Sequence, residues 1–140
     1  MEHAILSASG AEKWFNCPGS ITAEKDIEEE YSDVASEGTL AHLLAEVSLN
    51  SCVPAYQYAE LDGQEITLEM AEYVQKYVDY VNSTFTYQGV LQIESRVYFD
   101  DYAPDGFGTV DAVSMCYGTG ICHVIDLKYG VGIPVHAEKQ

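Results

Sequence analysis

Val110-Asp111-Ala112-Val113-Ser114-Met115-Cys116-Tyr117-Gly118-Thr119-Gly120-Ile121-Cys122-His123-Val124-Ile125-Asp126-Leu127-Lys128-Tyr129 is the stretch that decides the fold of this 140-residue chain. Two runs rich in β-branched and aromatic residues, 110–117 and 121–129, flank Gly118-Thr119-Gly120, which reads as a hairpin turn. With Gly118-Thr119 as a two-residue loop, Tyr117 pairs with Gly120, and counting back sets Asp111 directly across from Asp126. Cross-strand partners share a face with Cβ atoms about 4.5–5.5 Å apart, and Lys128, two residues beyond Asp126, points the same way. A three-residue loop would set Asp111 against Leu127 and send Asp126 to the other face, so the pattern needs an even-length turn or a compensating bulge.

Two opposed carboxylates on an apolar hairpin repel each other, and burying them unpaired is costly. A divalent cation would offset that cost: Mg²⁺ takes carboxylate oxygens, keeps several waters and bridges to phosphate. Lys128 would then orient an attacking water or stabilise negative charge developing on phosphorus. Spacing alone fits equally a surface hairpin on which Asp111, Asp126 and Lys128 form an ordinary charge cluster.

Working outward, Glu94 lies on a run that reads as a strand, Gly108-Thr109-Val110-Asp111 follows, and Ile125-Asp126-Leu127-Lys128-Tyr129-Gly130 closes the series. This order resembles the core signature of the PD-(D/E)XK nuclease superfamily in its RecB-like exonuclease branch. Ser36-Glu37-Gly38-Thr39-Leu40-Ala41-His42-Leu43-Leu44-Ala45-Glu46 resembles the helix that carries the metal-binding histidine there. Residues 6–20, Leu6 to Ser20, resemble the amino-terminal segment of phage-borne members of uncharacterised type. The resemblance covers nearly the whole chain and implies an α/β, restriction-endonuclease-like core, a small mixed sheet with flanking helices, as a single domain over 1–140. It implies His42, Asp111 and Asp126 as ligands of Mg²⁺ or Mn²⁺, joined by the backbone carbonyl of Leu127. Lys128 would be the catalytic lysine, Glu94 would support it, and DNA would be the substrate. Such nucleases continue past the third strand into a further helix and strands. The chain stops at Gln140, so a shortened form is expected, with oligomerisation able to supply the missing cover.

Helical periodicity bears on His42. Leu40, Leu43, Leu44 and Val47 form an apolar stripe, which puts His42 and Glu46 on the opposite side, where a solvated His/Glu pair is the alternative to a ligand.

Charge pulls against nucleic acid. Six Lys and Arg stand against 23 Asp and Glu, a formal net charge of −17, whereas a protein that grips phosphates carries a basic groove. The acidic run from Glu24 to Asp33 is either a solvated loop or a phosphate mimic. In the second case the chain would be a non-enzymatic protein that inhibits a host nucleic-acid-binding protein, as some phage inhibitors of restriction or CRISPR systems do.

Nothing approaches the roughly 20 apolar residues that span a bilayer, and Met1-Glu2-His3 does not open a signal peptide, so a cytosolic location is expected, in a bacterium or an infected cell. Cys17 precedes the core, but Cys52, Cys116 and Cys122 form no trailing C-x-x-C group, which disfavours an iron–sulfur cluster. Reduced, mostly buried thiols are expected instead.

Along the rest of the chain, Ser9 and Glu12 make a capping box for a short helix stopped by Pro18-Gly19. Helices are expected over 36–50 and 67–82, the second with Met70, Tyr73, Val74, Tyr77, Val78 and Val81 on its apolar face. A loop around Pro54 joins them. Val90 to Phe99 reads as a strand with Glu94 and Arg96 on one face and Ile93, Val97 and Phe99 on the other. Its connection to the hairpin holds Asp100, Asp101 and Asp105, and Ile133-Pro134-Val135 reads as a short edge strand.

Overall fold

A computed structural model describes residues 4–8, 10–25, 33–85 and 89–130, with the backbone alone for 33–35. Most of the acidic run between Glu24 and Asp33, the expected cap Ser9 and the Ile133-Pro134-Val135 segment lie outside the described residues.

The chain is an α/β fold of small sheets flanked by helices. Helices α1 (Ala11–Asn16), α2 (Gly19–Glu24), α3 (Asp33–Ser51) and α4 (Leu68–Thr84) accompany strands β1 (Glu60–Leu61), β2 (Gln64–Glu65), β3 (Gly89–Tyr98), β4 (Phe107–Cys116) and β5 (Ile121–Ile125). By their contacts the described residues form two units, one from 4–25 and 96–109, the other from 33–95 and 110–130. No helix among the described residues is long and apolar enough to cross a membrane.

In the first unit, α1 starts at Gly10, whose N–H donates to Ser7 Oγ at 3.2 Å, while Trp14 Nε1 donates to the Ser7 carbonyl at 2.8 Å. Ser7 thus anchors the residue before the helix and the Trp14 indole, and α1 has no side-chain cap among the described residues. α1 stops at Asn16, just before Pro18-Gly19 as expected, and the same pair then opens α2: proline lacks only an N–H that a helix start leaves unpaired, and its φ of −57° already suits a helix. The loop between β3 and β4 closes through Phe99 N–H to Gly106 carbonyl at 3.0 Å. Asp105 takes a left-handed φ of 56°, and any Cβ on Gly106 would lie 2.5 Å from the Phe99 ring. Asp-Gly serves there as turn chemistry, with Asp100, Asp101 and Asp105 all exposed.

The second unit holds the main core. Thr67 caps α4, its Oγ1 accepting from Met70 N–H at 3.1 Å, and Met70, Ala71, Val74, Tyr77, Val78 and Val81 are buried. Tyr73, at the margin of that arc, stays half exposed between the Tyr129 ring and the Lys76 ammonium. The buried face of α3 is Leu40, Ala41, Leu44, Ala45, Ser48 and Leu49. That face is rotated from the expected Leu40/Leu43/Leu44/Val47 stripe: Ala41, Ala45 and Ser48 are buried where Leu43 and Val47 were expected to pack. His42 therefore stands at the rim of the packed face and not opposite it. Between α3 and α4 a small antiparallel hairpin, β1–β2, turns at Asp62-Gly63, both with positive φ; Asp-Gly was the available signal for it.

The three-stranded sheet has the order β3-β4-β5. β4 and β5 pair antiparallel from Ala112↔Ile125 to Cys116↔Ile121, and Gly120 N–H donates to the Cys116 carbonyl at 2.9 Å. The turn thus takes the four residues 117–120 and not the expected two-residue Gly118-Thr119 loop with its Tyr117–Gly120 pair; being even in length, it keeps the same register, and the pairing stops at Ala112↔Ile125, one step short of Asp111 and Asp126. Ladder pairing ends at Ile125, short of the strand expected through Tyr129. Glu94 has a φ of 47°, a left-handed kink inside β3 that interrupts the regular alternation expected there. None of the four cysteines forms a disulfide; Cys17, Cys52 and Cys122 are exposed, which corrects the expectation of mostly buried ones.

The rotated face of α3 carries a prediction. Leu44→Ala should lower the unfolding free energy by about 2–5 kcal/mol in urea titration, since Leu44 is fully buried. Leu43→Ala should cost clearly less; equal losses would contradict the observed orientation.

Candidate metal centre

Asp111 is where three separate stretches of chain meet. It leaves β4 one residue before the ladder with β5 begins, and its carboxylate is 12 % exposed. One oxygen, Oδ2, accepts from the backbone N–H of Leu127 at 2.6 Å, and the other, Oδ1, lies 3.4 Å from His42 Nδ1 on α3. His42 Nδ1 is in turn 4.0 Å from Glu94 Oε1 on β3. The left-handed backbone at Glu94 costs on the order of 1–3 kcal/mol, and such strain persists where surrounding structure holds it; here the kinked residue reaches toward α3.

Among the described residues, His42, Glu94 and Asp111 form a group able to hold a metal ion, each offering one ligand atom within 4.8 Å of the others. Ligands on a divalent ion at about 2.0–2.2 Å lie roughly 3–4.4 Å apart, so a slight side-chain closure suffices. One imidazole nitrogen and two carboxylate oxygens suit Mn²⁺ or Mg²⁺ with open positions for water.

The protonation states follow from the packing. His42 is raised above its ordinary 6.5, first by its hydrogen bond to Asp111, with burial opposing and the charges of Asp111, Glu94 and Asp126 assisting. Burial acts to raise Asp111, but the hydrogen bonds from His42 and from the Leu127 N–H, with the positive charges of His42 and Lys128, outweigh it and leave Asp111 lowered. Glu94 is raised, first by burial and then by the negative charge of Asp111, with His42 partly offsetting both. An acidic pocket that pulls a proton onto its histidine is an electrostatic site for a cation.

The remaining expected site residues fall around this group. Asp126 turns its carboxylate to Lys128, whose Nζ is 2.7 Å from Oδ2, and lies outside the three-residue group. Both partners are about half exposed, so the pair contributes little stability, about 0–1 kcal/mol, while the positive charge of Lys128 is felt at Asp111. Leu127 is buried, and its N–H fixes Asp111. Glu94, expected in a supporting role, stands inside the ligand group itself.

Two titrations follow with opposite signs. The stabilisation that His42 gains by protonation is present below 6.5 and is lost as pH rises through its raised folded value; that of Asp111 is present above 3.8 and is lost as pH falls through its lowered one. In metal-free protein the His42 Cε1–H resonance should titrate above 6.5, and Asp111→Asn should move the midpoint down, because burial then acts with less opposition.

No solved structure matches the chain. Residues 3–140 match a family described as "Protein of unknown function (DUF2800)", and the match takes in every residue of the centre from His42 to Lys128. With nearly its whole length covered, the chain belongs to the DUF2800 family.

Proposed function

We propose that this protein is a divalent-metal-dependent phosphodiester hydrolase acting on DNA, with a scaffold of the PD-(D/E)XK type in its RecB-like branch. The observation that carries the reading is the convergence of His42, Glu94 and Asp111 from α3, β3 and β4, with Asp126 and Lys128 at its edge. The order helix with histidine, strand with glutamate, Gly-Thr-Val-Asp, then Asp-Leu-Lys supports the family assignment. A phage or prophage origin and a cytosolic location belong to the same reading.

In this mechanism His42, Glu94 and Asp111 would hold Mg²⁺ or Mn²⁺, and Asp126 and the Leu127 carbonyl would complete the protein's share of ligands. Once bound, the ion would supply Lewis-acid polarisation of a phosphoryl oxygen and a more acidic water. The Leu127 N–H keeps Asp111 Oδ2 occupied and so aims Oδ1 at the site. Lys128, held by Asp126, orients the attacking water and screens charge developing on phosphorus. Water oxygen bonds to phosphorus, one ester P–O bond breaks, and the departing oxygen takes up a proton.

The net charge of −17 favours a second reading, in which the scaffold is a non-enzymatic acidic inhibitor of a host nucleic-acid-binding protein. Calorimetric titration of Mn²⁺, followed by DNA cleavage in the same buffer, separates the two. Expected are Mn²⁺ binding that disappears in Asp111→Ala, and a Lys128→Ala variant that still binds Mn²⁺ but cleaves about 10²–10³-fold more slowly. Binding indifferent to Asp111 would sink the hydrolase; an inhibitor would tolerate both substitutions and lose its partner when the acidic surface is neutralised.

A further inference from the structure

Tyr73 belongs by its spacing to the apolar face of α4, yet 52 % of it is exposed. Its ring is held from two sides. The Tyr129 ring meets it edge-on, with 6.4 Å between centroids and 69° between planes, and the Lys76 ammonium lies over it, 4.6 Å from the centroid. Lys76 has Glu72 and Asp79 at i−4 and i+3 on the same helix, but it makes no ion pair among the described residues. A half-exposed ring steadied by a second ring, beside a cation that no carboxylate neutralises, offers aromatic surface and positive charge together.

Backbone geometry ties this group to the metal centre. Asp111 accepts from the Leu127 N–H at 2.6 Å, and Tyr129 follows two residues later. The Tyr129 carbonyl lies against α3 at Gly38, where an added Cβ would come within 3.7 Å of it. Gly38 and His42 are four residues apart on one side of that helix, about one turn, or 5.4 Å, along its axis. The aromatic group thus begins about one helical turn from the histidine of the centre. Lys76 and Lys128, the second joined directly to Tyr129, are the sole Lys or Arg side chains of residues 33–95 and 110–130. Tyr80, 55 % exposed, stands at i+7 from Tyr73 on the same side of α4.

We propose that Tyr73 and Lys76, steadied by Tyr129, form a seat for an unpaired nucleotide next to the bond that is cut, so that the substrate is single-stranded DNA. The inference rests on the hydrolase reading above and names its substrate class. A base in a duplex must be unstacked and unpaired before a side chain can stack on it, whereas a base in a single strand is already free to do so. Stacking does not depend on charge, which matters on a helix whose exposed side also carries Glu69 and Glu72. The flexible stem of Lys76 swings its ammonium from the ring to the phosphate of that nucleotide, and the ring face it covered opens to the base. Tyr80 continues the track along α4.

The test is fluorescence anisotropy in Mn²⁺ with a fluorescein-labelled oligothymidylate about 12 nucleotides long, alone and in duplex. All proteins carry Lys128→Ala, so that the strand outlasts the measurement. The single strand should bind more tightly than the duplex. Adding Tyr73→Ala should weaken single-strand binding by about 5–150-fold, and Tyr73→Phe should preserve it, with the calorimetric Mn²⁺ Kd unchanged in both. Lys76→Gln should make the dependence of log Kd on log salt shallower by about 0.7. A folded Tyr73→Ala with unchanged single-strand Kd, or tighter binding of the duplex, overturns this proposal; the hydrolase reading survives that result if wild type cleaves DNA in Mn²⁺. Wild type that cleaves neither single strand nor duplex overturns both. Should Tyr73→Ala fail to fold, Lys76→Gln at its exposed position decides, and an unchanged salt dependence overturns the proposal.

Discussion

One carboxylate organises the centre. Asp111 accepts from the Leu127 N–H with one oxygen and meets His42 with the other, so a single side chain ties β4 to the segment after β5 and to α3. A charge-assisted hydrogen bond to a mostly buried carboxylate is stronger than a neutral one, and losing either partner would leave the carboxylate poorly compensated. The rest of the centre is arranged around that constraint: the ladder stops at Ile125 so that the Leu127 N–H is free to turn inward, and Glu94 takes a strained backbone that reaches the same histidine.

The packing of the second unit makes this arrangement possible. Ala41, Ala45 and Ser48 on α3 and Ala71 on α4 are small, and Ala112 of β4 joins the same core. Small residues at those contacts allow close approach, while Leu44, Val74 and Val81 fill the volume between. Ser114 Oγ donates to the Thr84 carbonyl at the end of α4, securing β4 to the helix on the far side of the centre. His42 gains its position from the same geometry. His42 sits at the rim of the buried face, one third exposed.

The large negative net charge and the local cluster act on different scales. Dispersed surface carboxylates are screened within about 10 Å at ordinary ionic strength, whereas the few groups around Asp111 act on one another at contact distance and partly out of water. His42 is raised first by its hydrogen bond to Asp111 and Glu94 first by burial, with Asp111 adding to both, while the hydrogen bonds from His42 and the Leu127 N–H leave Asp111 lowered.

The sequence by itself determined the hairpin and what it juxtaposes. Gly118-Thr119-Gly120 between two β-branched runs specifies an even-length turn, and the resulting register sets Asp111 at the edge of the ladder with β5, while Asp126 and Lys128 lie beyond its last paired residue. It also determined α4, whose cap at Thr67 and apolar period are local properties. Only the tertiary structure decided the rest. The face α3 buries depends on how closely its neighbours approach, which hydropathy does not encode, so His42 reads as solvated until α4 is in place. The kink at Glu94 has no signal in a strand-like sequence, because backbone strain is held by distant contacts. Local pattern is written in neighbouring residues; the chemistry of a site is written in residues that meet only after folding.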